Sequence, residues 1–130
     1  MVSKVRRPEE ALQKALVGHL EVRAFPDVLY WHTPNGGYRT RAEAGIMKAM
    51  GQRAGIPDLF VLVPKIGSTL HIAIECKDDG KPLTPDQQEI AFKLMTMGYE
   101  FIVCKPASLD ITLQKLVDAG AIRPDANAKT

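Results

Sequence analysis

The sequence is poor in cysteine and lacks long apolar runs. Its 130 residues include only two cysteines, Cys76 and Cys104, both inside strand-like stretches, which favours buried reduced thiols over a disulfide framework or a zinc site. No apolar run approaches the roughly 20 residues that a membrane-spanning helix needs. The basic N-terminus leads into an amphipathic segment rather than a signal-peptide core. We therefore expect a single cytoplasmic domain, 1–130, with a core from about residue 8 to 120 and no membrane contact.

The net charge is also small. A value of +2 at pH 7 gives only weak support for a polyanionic partner. Basic residues are nevertheless concentrated between positions 39 and 53, where Glu43 is the single acid. The candidate DNA contacts of this kind are Arg39, Arg41, Lys48, Arg53 and, in a later charged loop, Lys81. On charge alone, such a cluster is more typical of a solvated protein face.

Two apolar runs predict a β-hairpin in the middle of the chain. The residues from Leu59 to Val63 and from Leu70 to Cys76 are rich in Val, Ile, Leu and Phe, and the segment between them carries Pro, Gly and Ser. We take Lys65 to Ser68 as the loop. The register that follows pairs Pro64 with Thr69, Phe60 with Ala73 and Asp58 with Glu75.

This register brings two carboxylates together on one face of the hairpin. Side chains alternate along a strand, so one face carries Leu59, Val61, Val63, Leu70, Ile72, Ile74 and Cys76. The other face carries Asp58, Phe60, Leu62, His71, Ala73, Glu75 and Lys77. Opposed like charges destabilise a sheet, and a hard divalent cation with oxygen ligands would compensate for them. The alternative is that Asp58 caps the hairpin while Glu75 and Lys77 form a weak surface ion pair.

The remaining elements alternate around the hairpin. Hydrophobic periodicity predicts helices at Pro8–Val22, at about Ala42–Arg53, from Thr84 to near Gly98 and at Ser108–Ala119, and strands at Val28–His32 and Tyr99–Lys105. The residues Thr84-Pro85-Asp86-Gln87 form a capping box that opens the third helix. This order predicts an α/β fold in which a mixed β-sheet is flanked by α-helices.

Several polar and aromatic residues have two interpretations each. Gln87 suits a helix-capping role and an active-site, water-orienting role equally well. His32 and Asn35 could flank a site or bind DNA, but an Asn before two glycines commonly forms a turn. Trp31 could stack on a base, whereas an aromatic residue at a strand end more often fills the core.

The assembled motifs resemble the VRR-NUC (virus-type replication-repair nuclease) family, a branch of the PD-(D/E)xK nuclease superfamily. The resemblance runs from about Glu9 to Val117 and rests on five motifs in the same order. They are Glu9 with Leu12 and Gln13, His-x-Pro-Asn-Gly-Gly at 32–37, Met-Gly...Gly-x-Pro-Asp-Leu at 50–59, Glu-x-Lys at 75–77, and Leu-Thr-Pro-x-Gln at 83–87. The resemblance implies a restriction-endonuclease-like PD-(D/E)xK fold.

For the site, the resemblance implies a phosphodiesterase that uses Mg²⁺ or Mn²⁺. Asp58 and Glu75 would be metal ligands, the Cys76 carbonyl would complete the metal site, and Lys77 would orient the attacking water or stabilise charge. Glu9 would bind the metal directly or through water, although its neighbour Glu10 could take that role.

Three functions remain open from the sequence. The leading one is a structure-selective endonuclease that cuts branched or Holliday-junction DNA in replication, recombination or repair, acting as a homodimer as stand-alone relatives suggest. The second is a nuclease of other specificity, restriction-type or single-strand-acting. The third is a non-catalytic nucleic-acid-binding module, which the intact set of Asp58, Glu75 and Lys77 argues against.

Overall fold

The computed structural model of the protein describes residues 8–34 and 40–125. The elements in these ranges are α1 (Pro8–Arg23), β1 (Leu29–His32), α2 (Arg41–Ala49), β2 (Leu59–Lys65), β3 (Ser68–Cys76), α3 (Pro85–Thr96), β4 (Glu100–Cys104), a 3₁₀ turn (Pro106–Ser108) and α4 (Leu109–Asp118). The predicted DNA contacts Asn35 and Arg39 lie outside the described residues. No helix within those residues is long and apolar enough to cross a membrane.

The strands form one mixed sheet in the order β1-β2-β3-β4. β1, β2 and β3 pair antiparallel, whereas β3 and β4 pair parallel. A parallel pair needs a crossover connection, and α3 supplies it. The sheet is flanked by helices, as the sequence predicts for the fold class.

The hairpin register agrees with the prediction. Phe60 pairs with Ala73 and Pro64 pairs with Thr69. The predicted four-residue loop is wrong in one respect, because Lys65 and Ser68 are themselves paired and only two residues remain to turn the chain. The turn closes this tightly because Gly67 adopts a φ of +76°, which residues with a Cβ rarely adopt.

The core lies between one face of the sheet and two helices. The apolar hairpin face predicted from alternation belongs to it, with Leu59, Val61, Val63, Ile72, Ile74 and Cys76 all buried. α1 contributes leucines at helical spacing, Leu12, Leu16 and Leu20, and α4 contributes Leu113 and Leu116. This packing holds α1 against the sheet, so that the first turn of the helix, with its two glutamates, has a fixed position.

Helix α2 ends four residues earlier than predicted. It begins at a capping box in which the Glu43 amide donates to the Thr40 hydroxyl and the Thr40 amide donates to the Glu43 carboxylate. It ends because Gly51, just beyond the last turn, has a φ of +106° and reverses the chain. Arg53 therefore lies in the connection to β2 and not in the helix. None of the α2 side chains is buried.

The two cysteines are free and buried, as predicted. They face each other in the register of β3 and β4, where Cys76 pairs with Cys104. Burial raises the pKa of both thiols above the ordinary value, so both remain protonated at neutral pH.

Candidate active site

Asp58 and Glu75 meet at the open end of the hairpin. Asp58 immediately precedes β2, and the pairing of Leu59 with Ile74 places it across from Glu75. A carboxylate oxygen of Asp58, Oδ2, accepts a hydrogen bond of 2.8 Å from the Cys76 amide. This bond orients the Asp58 side chain towards β3, so the predicted convergence of the two acids is present.

Glu75 is buried, with 4% of its surface exposed, and its two oxygens differ. Oε2 accepts a hydrogen bond of 3.1 Å from the side-chain amide of Gln87, whereas Oε1 is buried without a partner among the described residues. Burial, followed by the charge of Asp58, raises the pKa of Glu75 to about 9. Glu75 is therefore protonated at neutral pH in the metal-free protein.

Asp58 is subject to opposing effects on its pKa. Burial raises the pKa of Asp58 above the ordinary value, but the hydrogen bond from the Cys76 amide acts in the opposite direction. Two adjacent carboxyl groups, one buried and one partly buried, cannot both ionise cheaply, so one proton, or one cation in its place, makes the site stable.

Gln87 caps α3 and also reaches Glu75, while its predicted water-orienting role stays a prediction. The side-chain oxygen of Gln87 accepts a hydrogen bond of 2.9 Å from the Thr84 backbone amide, and the backbone amide of Gln87 donates to the Thr84 hydroxyl, as in a capping box. Its side-chain nitrogen then donates to Glu75. Because the cap fixes the side-chain oxygen of Gln87, the side-chain nitrogen of the same amide is directed at Glu75.

Gly55 allows this arrangement by letting two segments approach closely. It has a φ of +87°, and a Cβ placed on it would lie 2.5 Å from the backbone oxygen of Asp86. The loop that carries Asp58 therefore packs directly on the first turn of α3, next to Gln87. The sequence assigns no role to Gly55, although a glycine three residues before the key aspartate was a usable signal.

We expect Gly55→Ala to lower the free energy of unfolding by roughly 2–4 kcal/mol. The new methyl group adds a clash with backbone, which cannot move aside, to the strain of a positive φ. Gly67→Ala is the matched control, because Gly67 also has a positive φ but nothing lies within 4 Å of its added Cβ. Urea unfolding of both variants checks this, and equal losses of stability would contradict the close approach.

Glu9, and not Glu10, acts through its charge on the two acids. A carboxylate oxygen of Glu9 accepts a hydrogen bond of 3.3 Å from the Asp78 amide, just beyond β3. Its charge also contributes to the raised pKa of both Asp58 and Glu75. Glu10 instead lies 3.6 Å from the ammonium group of Lys14 in an exposed pair. Both glutamates line the cleft, but only Glu9 is coupled to the acids in this way.

A cleft of about 620 Å³ contains these groups; its polar wall includes Glu9, Glu10, His32, Asp58, Glu75 and Gln87. The His32 ring nitrogen Nδ1 lies 3.2 Å from the Asp58 carbonyl oxygen and 2.9 Å from the side-chain nitrogen of Gln13. His32 therefore flanks the site. Gln13 was not predicted as a site residue, although its position four residues after Glu9 places both on one helix face.

Lys77 is buried beside Glu75 and does not belong to the described cleft wall. Its backbone amide donates to the Cys104 carbonyl oxygen at 2.9 Å, which fixes the chain where β3 ends. Its charge acts to lower the pKa of Glu75, against the larger effect of burial. A surface ion pair, the alternative from the sequence, is excluded because both side chains are buried.

The predicted DNA-binding side chains that the structure describes lie on α2, in the connection from α2 to β2 and in the loop after β3. Arg41 and Lys48 are exposed on α2, and Lys81 is exposed in the loop after β3. Arg53 lies 3.7 Å from Glu89 of α3 in an exposed pair that contributes little to stability. These placements are compatible with DNA contact, which stays a prediction.

The site can be tested for its fit to a divalent cation. No group of three or more His, Cys, Asp and Glu side chains in residues 8–34 and 40–125 is arranged to hold a metal ion. The donors that remain are the Asp58 and Glu75 carboxylates and the adjacent Cys76 carbonyl, all hard oxygen atoms of the kind that Mg²⁺ and Mn²⁺ prefer. The unpartnered Oε1 of Glu75 has lone pairs available to such an ion. The donor set therefore fits such a cation, with Glu9 acting directly only if it leaves the Asp78 amide.

A mixed sheet that brings Asp58, Glu75 and Lys77 to one end of a hairpin defines a restriction-endonuclease-like fold of the PD-(D/E)xK type. The model of the VRR-NUC domain family matches residues 7–107 of the sequence. The chain thus belongs to the VRR-NUC domain family, a nuclease-type family.

Comparison of structures gives the same fold. The chain is similar to a solved structure described as a VRR_NUC domain protein, with a TM-score of 0.67 and 24% sequence identity, covering 90% of this chain and 93% of the other. A search of curated protein sequences found no match. The fold and family predictions are confirmed by these comparisons.

Proposed function

We propose that this protein is a Mg²⁺- or Mn²⁺-dependent endonuclease that hydrolyses DNA phosphodiester bonds in the cytoplasm. The observation that carries the proposal is the convergence of the partly buried Asp58 with the buried Glu75, whose Oε1 has no partner among the described residues and whose raised pKa marks a site where a cation would fit. Asp58, Glu75 and the Cys76 carbonyl would hold the metal. When bound, the cation would lower the pKa of a water molecule and neutralise charge on the phosphate.

The protein groups around the pair have separate tasks in this proposal. Gln87 holds the Glu75 carboxylate in place through its capped amide. Lys77 supplies a positive charge close to Glu75, suited to orienting the attacking water or stabilising charge on the phosphate. Glu9 adds a further carboxylate to the cleft, able to assist through a bound water.

The preferred substrate in this proposal is branched or junction DNA, processed in replication, recombination or repair. The test is incubation with radiolabelled duplex, single-stranded, flap and four-way-junction DNA in Mg²⁺, in Mn²⁺ and in EDTA. Metal-dependent cuts near the branch point support the proposal. Preferential cleavage of linear duplex or single strands would show a nuclease of other specificity, and binding without cleavage of any substrate would show a non-catalytic module.

We also propose a homodimer, and we expect Ile46→Glu to weaken it. α2 buries none of its side chains in the protomer, and Ile46 and Met50, one turn apart, are 59% and 76% exposed. A second copy would cover this apolar pair and place two active sites on opposite strands of a junction. Sedimentation at micromolar concentration should give a dimer for the wild type and a monomer for the variant.

The control for the dimer is Ile66→Glu. Ile66 lies at the tip of the hairpin turn and is as exposed as an isolated residue, so it should leave the association unchanged. A monomeric wild type, or equal dissociation of both variants, would contradict pairing through α2.

A further inference from the structure

The chain contains a single tryptophan, Trp31, and its ring is held in place while remaining partly open to solvent. It stacks on Phe60 with ring centroids 5.3 Å apart and planes only 12° from parallel. Phe60 is buried and is supported edge-on by Tyr99, at 6.1 Å and 85°. Trp31 itself is 41% exposed. One side of the indole is therefore supported by the protein and another is free to meet a partner.

Trp31 lies near the carboxylates of Asp58 and Glu75. Trp31 pairs with Phe60 in the sheet, and Phe60 lies two residues beyond Asp58, on the same face. Along a strand that separation is about 7 Å, and the neighbouring strand lies about 5 Å away. The next residue of β1, His32, lines the cleft. A nucleotide adjacent to a phosphate bound at Asp58 and Glu75 is thus within reach of the indole.

The chemistry of a supported, half-open indole selects one kind of partner. A nucleobase has a flat π-face that gains about 1–3 kcal/mol by stacking on an aromatic side chain, and Phe60 has already reduced the freedom that the indole would lose. A base inside an intact duplex is already stacked and paired, so only an unpaired base is available for this contact. If Trp31 served only to cover Phe60, an unpaired base would not increase the affinity for DNA.

We propose that Trp31 stacks on an unpaired nucleobase next to the scissile phosphate, and that this contact makes the enzyme prefer DNA with a single-stranded or branched segment. The proposal rests on the nuclease function proposed above, and it assigns the selectivity of that site to a particular side chain. Trp31 takes no part in the hydrolytic chemistry.

The test uses the intrinsic fluorescence of the single tryptophan. Wild-type protein is titrated in EDTA and at low salt with a fluorescein-labelled single strand, a flap substrate and a blunt duplex of equal length. Binding is followed by anisotropy of the label, and tryptophan emission is read in a parallel titration with unlabelled DNA. We expect saturable quenching by the single strand and the flap, with a midpoint that matches the anisotropy curve, and little quenching by the duplex.

Variants separate stacking from a structural role. Trp31→Ala should weaken binding of the single strand and flap by about 5- to 100-fold while changing duplex binding by less than about twofold, and Trp31→Phe should restore most of the lost affinity. Leu29→Ala is the matched control, because Leu29 lies two residues away on the same face of β1 and is also exposed. It should bind all three DNAs as the wild type does, and thermal melts will show that each variant is folded.

The outcomes distinguish this inference from the proposed function. Saturable binding with unchanged tryptophan emission, or an equal loss of duplex and single-strand affinity in Trp31→Ala, would overturn the stacking role and leave the nuclease intact. Emission that depends on protein concentration and not on DNA would mean that a second copy covers Trp31, which also overturns it. No binding of any DNA at low salt would contradict the nuclease proposal and this inference together.

Discussion

Replacement of Glu75 by glutamine is expected to reduce metal-dependent cleavage by at least about 1,000-fold while DNA binding survives. The glutamine side chain has the shape of the protonated carboxyl group that the metal-free site contains, so the fold should tolerate it. Glutamine lacks the negative charge needed to hold a divalent cation. Such a cation stabilises the transition state by several kcal/mol, and the loss of about 4 kcal/mol corresponds to a 1,000-fold lower rate. Binding should persist because basic side chains on the surface supply most of the affinity for phosphates.

The measurement pairs single-turnover cleavage with anisotropy of labelled DNA in EDTA. Lys77→Met, which keeps the apolar stem of a buried lysine, should be similarly inactive and still bind. Glu100→Gln is the control, because Glu100 belongs to the same sheet but lies at the opposite end of the β3–β4 pairing and is exposed. Wild-type turnover by Glu75→Gln would remove the central claim about this site.

The second large effect is expected in thermal stability. Mn²⁺ at 100 times its dissociation constant should stabilise the wild type by about 2.7 kcal/mol, or roughly 10 °C for a domain of this size, because it binds only the folded state. Asp58→Asn should melt no lower than the wild type in EDTA. The substitution removes the charge that raises the pKa of Glu75, and the Asn oxygen can still accept the hydrogen bond from the Cys76 amide.

In the Asp58→Asn variant, the rise in melting temperature caused by Mn²⁺ should nearly disappear, since one of the two carboxylates is lost. Asp27→Asn, a change at an exposed position outside the site, should keep the full shift. If Asp58 served only as a cap for the hairpin, the substitution would cost about 1 kcal/mol in EDTA and the wild type would not respond to metal. That pair of results would refute the metal site.

The same melts should depend on pH in a defined direction. The pKa of Glu75 is raised from 4.5 to about 9 in the folded, metal-free protein, so the folded state binds more protons than the unfolded state between those values. The stability that this proton contributes is present below pH 4.5 and is lost as pH rises towards 9. A cation must displace the proton, so the stabilisation by Mn²⁺ should grow over the same range. Melts at about pH 6 and about pH 8.5, with and without metal, check both trends.

Local rules were sufficient for much of the fold. Alternation of apolar residues in the two hairpin strands identified the buried face and the pairing of Phe60 with Ala73, because a shift by one residue would have exposed the whole apolar set. The capping box at Thr84 located the start of α3, since its hydrogen bonds join residues three positions apart. Such interactions join residues that are close in the sequence, so they can be inferred from the sequence alone.

The sequence by itself thus determined the hairpin, its apolar face and the convergence of Asp58 with Glu75. Only the tertiary structure decided that Gln87 reaches Glu75, that Glu9 rather than Glu10 is coupled to the acids, and that Gly55 packs on Asp86. Each of these depends on how a helix sits against the sheet, which is set by the packing of many leucines and not by any local pattern. The raised pKa of Glu75 has the same origin, because burial, its largest cause, exists only once the chain has folded around this side chain.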